Sequence, residues 1–177
     1  GLYPPGSTFK IVTALEYMRE HPGAYNDYHF DCSGIFTFEN NKIQCYHKIS
    51  HGSQDFTQAF ANSCNGAFAN LGTELDLTSY RNLAEQLFFN RSLPLEIPYS
   101  RSTFPMQPDA EAWEILQTSI GQGQTLMSPM HNLLITAAIA NGGILMKPYL
   151  MDHVENSGGD VIRKFSPSAV GELMVPN

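Results

Sequence analysis

Pro5-Gly6-Ser7-Thr8-Phe9-Lys10 leads into the first helical run of the chain, and its reading decides the rest. Pro4-Pro5-Gly6 is a stiff, extended approach, and from residue 7 to about residue 20 the pattern is helical. Phe9, Ile11, Val12, Ala14, Leu15, Tyr17 and Met18 nearly surround that helix instead of forming one stripe, which predicts a central element with neighbours on most sides. His21-Pro22-Gly23 ends it. Ser7 and Lys10 stand three residues apart and share a helix face, so the amine can reach the hydroxyl. Serine needs a neighbouring base to act as a nucleophile, and lysine serves only where burial lowers its pKa. The apolar surround supplies that burial. The helix N-terminus places free N–H groups and partial positive charge where an oxyanion would form. The alternative, a serine cap beside a solvated lysine, fits poorly on a helix that is apolar all round.

Outward from this helix the pattern is mainly α with small β hairpins. Residues 24–55 are loop-rich, with one hairpin predicted from segments 35–39 and 42–46 around Asn40-Asn41. Helices are predicted over residues 57–62, 66–75 and 80–89, with Asp76 or Thr78 as the cap of the last. Residues 90–108 hold Pro94, Pro98, Pro105 and Pro108 and read as an irregular connection. Asp109 is the expected cap of a short helix running to about residue 117. Ser119-Ile120-Gly121-Gln122-Gly123-Gln124 reads as a glycine-paired loop. Ser128-Pro129 then starts a helix that Asn141-Gly142-Gly143 stops. Segments 144–154 and 161–165 read as strands, and 168–174 as a last short helix.

The 177 residues suit one compact domain, and 42% hydrophobic content is ample for a core. A net charge of −7 leaves no basic stripe to neutralise phosphates, which argues against nucleic-acid binding. The strongest apolar stretch, residues 133–139, is too short to span a bilayer. The opening Gly1-Leu2-Tyr3, without an initiator Met, reads as the start of a piece of a longer protein. Cys32, Cys45 and Cys64 make no even disulfide framework. Cys32 and Cys45 flank the hairpin and could pair. His47 and His51 follow Cys45 at short spacing and raise a metal site, though no second Cys-x-x-Cys pair supports zinc. Reduced, half-buried cysteines fit equally well.

Ser63-Cys64-Asn65 lies between two helical stretches and aims Ser63 and Asn65 one way while Cys64 points to the core. A second hydroxyl can relay a proton, and an amide can hold a substrate carbonyl. Taken with Pro5-Gly6-Ser7-Thr8-Phe9-Lys10, this tripeptide resembles the motif set of the penicillin-binding proteins, the peptidoglycan D,D-transpeptidases. His51-Gly52 ahead of it is similar to many members. Gly121-Gln122-Gly123 with Ser128-Pro129 and Ala140-Asn141-Gly142-Gly143 resembles the family's later helical stretch.

The resemblance covers nearly the whole chain. It implies the helical part of an α/β transpeptidase fold over residues 1–177, with most of the central sheet supplied by strands outside them. The family's third motif, Lys-Thr-Gly on a strand, is absent: Lys147 is followed by Pro148 and Lys164 by Phe165. The implied chemistry is attack by Ser7 on a stem-peptide D-Ala carbonyl, giving an acyl-enzyme that a neighbouring stem amine resolves. β-Lactam antibiotics would trap the same serine. Lys10 would be the base, Ser63 the proton relay, and Asn65 with Gly121, Gln122 and Gly123 the substrate-binding residues. No metal or organic cofactor is implied, and the setting is the extracytoplasmic face of a bacterial membrane. A β-lactam-sensing or scaffold domain of the same fold and a serine β-lactamase are the alternatives, with a Cys64–His protease behind them for want of an activating feature. Without the sheet, Phe9, Ile11, Val12, Leu15 and Met18 are expected to lose part of their burial and to drive self-association through this segment or its displacement from the family position, and the isolated chain is expected to acylate poorly.

Overall fold

The computed structural model describes residues 1–170. A 3₁₀ turn, Gly6–Phe9, runs into α1, Lys10–Glu20. The first turn is therefore tighter than the predicted α-helix, because Pro5 enters at φ −69° and Thr8 Oγ1 donates back to the Pro5 carbonyl at 2.8 Å. As its apolar girth requires, α1 is central, and it packs on α3, Asn65–Glu74, and α4, Leu77–Gln86. Phe9 is fully buried among Tyr80, Phe89 and Phe104, with ring centroids 5.5 to 6.4 Å away. Such aromatic pairs add about 0.5–1.5 kcal/mol each beyond the area they bury. Thr13 satisfies its hydroxyl on Tyr80 Oη at 2.7 Å and the Ser119 carbonyl at 2.9 Å. The expected apolar exposure is thus corrected: Phe9 and Val12 are covered by the helical layer itself, and Ile11, Leu15 and Met18 remain half-buried.

Between α1 and α3 the chain forms two small antiparallel pairs. β1, His29–Cys32, pairs with β4, Gly52–Asp55; β2, Ile35–Phe38, pairs with β3, Asn41–Gln44. The hairpin turn falls on Glu39 and Asn40, one residue earlier than the sequence suggests, because Phe38 pairs with Asn41 and Glu39 takes a positive φ of 51°. The β1–β4 pair was not legible, since its short polar segments lack alternation and meet across the whole hairpin.

α2, Phe56–Ala61, begins with a capping box in which Asp55 and Gln58 satisfy one another's backbone amides. α4 starts three residues before the expected 80, because Asp76 caps the Ser79 amide at 2.7 Å. α5, Ala112–Ser119, is not capped by Asp109; a turn closed by the Ala110 amide on the Gln107 carbonyl absorbs that residue. α6, Pro129–Ala140, is capped by Ser128 with proline in the first turn. The predicted strand 144–154 reduces to β5, His153–Glu155, paired with β6, Val161–Lys164. Pro148 has no N–H to donate, so upstream only a single bridge, Met146 to Ala169, forms. Most of the predicted helix 168–174 lies outside the described residues, and Ser168 to Val170 are not helical. Among the described residues no sheet exceeds two strands, as expected for a domain whose central sheet is largely missing.

Candidate active site

Ser7 is exposed in the first turn of the serine helix, where backbone amides lack intrahelical acceptors. One turn on, Lys10 is only 2% exposed. Its Nζ lies 3.4 Å from Ser7 Oγ and donates to Ser63 Oγ at 3.0 Å, the Ser63 carbonyl at 2.6 Å and Asn65 Oδ1 at 2.7 Å. Burial pulls the Lys10 pKa down to about 8, against the opposing pull of the Cys64 and Cys45 thiols. The amine is therefore poised to exchange a proton near neutrality, with Ser7 on one side and Ser63 on the other.

Ser63 is held by a turn and not by helix: its φ is +49°, and its amide donates to the Phe60 carbonyl at 3.0 Å. A non-glycine residue in that region costs on the order of 1 kcal/mol or more and is concentrated where function demands it. Cys64 then caps α3 by accepting the Ala67 amide, which sets Asn65 at the helix start. Asn65 is fixed at its other end by donating Nδ2–H to the Gln44 carbonyl at 2.9 Å.

The serine turn is docked on the loop after α5. The Gly6 amide donates to the Gly121 carbonyl at 2.7 Å, and Tyr3 exchanges backbone bonds with Met127. Gly121 has φ +75°, and a Cβ there would sit 1.9 Å from the Gly6 carbonyl oxygen. It is a docking glycine beneath the Ser7 turn. Of the three loop residues expected to meet substrate, Gln122 lines the cleft; Gly121 is buried and Gly123 lies against Gln117. The cleft holds about 350 Å³ and is walled by Ser7, Ser63, Asn65 and Gln122 together with Tyr46, His51, Asn62 and Ile120. Sequence reasoning missed Tyr46, Asn62 and Ile120 as wall residues. Asn62 and Ile120 adjoin recognised motifs and could have been found that way, whereas Tyr46 carries no such signal.

The three cysteines are free and buried. Burial pushes the Cys64 thiol pKa upward, the wrong direction for a nucleophile, which argues against a Cys64–His protease.

The family model for the penicillin-binding protein transpeptidase domain matches residues 1–176. The chain belongs to the penicillin-binding protein transpeptidase family. Among the family's curated members, it is 33% identical to the peptidoglycan D,D-transpeptidase PbpA of Mycobacterium tuberculosis strain H37Rv over 157 residues, covering 84% of this chain and 31% of that protein. The transpeptidase domain from Eggerthella lenta superposes with a TM-score of 0.86 at 29% identity, over 99% of this chain and 45% of that one. The imipenem acyl-enzyme complex of penicillin-binding protein A from M. tuberculosis gives a TM-score of 0.83 at 27% identity, over 98% of this chain and 40% of that one. The chain thus spans about a third of the length of the PbpA protein and less than half of the chain in either solved structure. What it contains is the helical part of the transpeptidase fold.

Proposed function

We propose that residues 1–177 are the serine-helix and helical portion of a peptidoglycan D,D-transpeptidase whose remaining sheet strands lie outside them. In this reading Ser7 Oγ attacks the D-Ala carbonyl of a stem peptide as its proton passes to the Lys10 amine. The tetrahedral intermediate collapses to an acyl-serine ester, and Ser63 hands the proton on to the departing D-Ala amine. A neighbouring stem amine resolves the ester. A β-lactam acylates Ser7 by the same steps, but its amine stays tethered to the acyl group. Asn65 and Gln122 hold the substrate's amides in the cleft. The reading also places the protein at the extracytoplasmic face of a bacterial membrane, anchored there by a segment outside these residues. Among the described residues, no helix is long and apolar enough to cross a membrane.

The observation that carries this reading is the single lysine amine within hydrogen-bond reach of Ser7 Oγ, Ser63 Oγ and Asn65 Oδ1. The test is mass spectrometry of the full-length protein carrying this chain after exposure to benzylpenicillin. A stable adduct of the intact drug on Ser7 is expected, lost in Ser7→Ala and Lys10→Ala. An adduct that survives Ser7→Ala overturns the assignment. Rapid turnover of free drug would instead make the protein a β-lactamase.

A further inference from the structure

Cys32, Cys45, His51 and Cys64 converge from four separate segments: the end of β1, the exit of β3, the entry of β4 and the cap of α3. Their ligand atoms all lie within 4.8 Å of one another. Cys45 Sγ is 3.6 Å from Cys32 Sγ and 3.7 Å from Cys64 Sγ, and Cys32 Sγ is 3.4 Å from His51 Nδ1. A tetrahedral Zn²⁺ with sulfur ligands at about 2.3 Å and nitrogen at about 2.0 Å sets edges of roughly 3.8 Å between sulfurs and 3.5 Å from sulfur to nitrogen. The three close edges fit that figure. Two of the sulfurs also accept backbone amides, Cys32 from Gly34 and Cys64 from Ala67, both at 3.4 Å. Amide donors of this kind stabilise thiolate ligands. His47, also a candidate from its spacing, lies outside the group and is exposed.

We propose that Cys32, Cys45, His51 and Cys64 form a structural Zn²⁺ site that fastens Ser63-Cys64-Asn65 to the β1–β4 and β2–β3 pairs. Three soft thiolates and one imidazole in tetrahedral array select Zn²⁺ over Mg²⁺ or Ca²⁺, which prefer oxygen ligands. All four positions are filled by protein, so the ion is a staple with no open coordination site for catalysis. His51 is half-buried and lines the Ser7 cleft, which gives the metal an entry path. Cys64 is the residue between the two side chains that grip Lys10. Metal bound there holds Ser63 and Asn65 in place from behind, while the chemistry at Ser7 remains metal-free. The metal site stands independently of the transpeptidase reading, and only the consequence for Ser63 and Asn65 rests on it.

The test is elemental analysis of the full-length protein carrying this chain, purified under reducing conditions without chelator, followed by Co²⁺ titration of the demetallated protein. One equivalent of Zn²⁺ is expected, and Co²⁺ should give sulfur-to-metal charge-transfer absorption with the intense visible bands of a tetrahedral ion. Cys45→Ser, which leaves two thiolates, should lower the charge-transfer intensity by about a third and weaken Zn²⁺ binding. If Cys45→Ser fails to fold, His51→Ala, at a half-buried edge, should still show thiolate charge transfer with Zn²⁺ affinity at least about tenfold weaker. Hydrogen exchange at residues 63–67 should speed up on demetallation. A folded protein with no bound Zn²⁺ and no Co²⁺ charge transfer overturns the site, as does a quantitative Cys32–Cys45 disulfide under these conditions. Zn²⁺ bound without any change in exchange at 63–67 overturns the fastening role. None of these readouts depends on acylation, so their failure is distinct from failure of the transpeptidase reading.

Discussion

Lys10 sets the pH response of the site. Burial lowers its pKa to about 8, with the Cys64 and Cys45 thiols opposing, and in the proposed mechanism its neutral form is the base. Acylation of Ser7 should therefore rise about tenfold per pH unit below 8 and level off above it. Initial rates of fluorescent-penicillin labelling of the full-length protein from pH 6 to pH 10 check this, and a flat or falling profile would remove Lys10 from the base role. The same shift has a consequence for stability. The unfolded chain releases the Lys10 proton near 10.5, the folded chain near 8, so between those values the unfolded state binds more protons. Lys10 therefore makes stability rise with pH across that window. Ser63 gives a second test, because it is exposed and accepts from Lys10 at 3.0 Å. Ser63→Ala should slow acylation by about 10²- to 10⁴-fold while leaving the thermal midpoint near that of the parent, as loss of a proton relay predicts.

At the scale of elements, the position of Ser7 depends on how the serine turn meets the loop after α5. Gly121→Ala would place a methyl group in the Gly6 carbonyl and force a positive φ on a residue with a side chain. Both effects destabilise, each by roughly 1–3 kcal/mol. A lower urea midpoint together with slower acylation is expected, whereas an unchanged midpoint would mean the two loops do not depend on one another. The sequence carried α1, α2, α3 and α6 closely, because these elements announce themselves by apolar periodicity, by caps such as Ser128 and by breakers such as Pro22-Gly23. It misplaced the start of α5, where Asp109 belongs to a turn and not to a cap, and it missed β1 and β4. Those strands are defined by partners rather than by their own residues. The close approach of Ser7, Lys10, Ser63 and Asn65 followed from a family pattern and helical spacing. The convergence of Cys32, Cys45, His51 and Cys64 was only half-visible, since ligands from four segments leave no short motif.

For the molecule as a whole, the question is what closes the cleft. Ser7, Ser63, Asn65 and Gln122 form its walls, and the chain contains no Lys-Thr-Gly to face them. The half-buried stripe of Ile11, Leu15 and Met18 recurs at positions i, i+4 and i+7 on α1, the spacing of a face that packs on another layer. In the proposed full-length enzyme that layer is the missing sheet, and the family resemblance implies that its third-motif strand supplies a second oxyanion donor beside the Ser7 N–H. Removing a single oxyanion donor costs about 10²- to 10³-fold in rate. The isolated chain should therefore be labelled by fluorescent penicillin at least about a hundredfold more slowly than the full-length protein. With the stripe left half-covered, it should also gain mass by light scattering as its concentration rises, and Leu15→Glu should return it to a monomer. Equal labelling rates would mean that residues 1–177 complete the oxyanion site themselves. A monomer at every concentration would mean that the helical layer covers α1 well enough without a sheet.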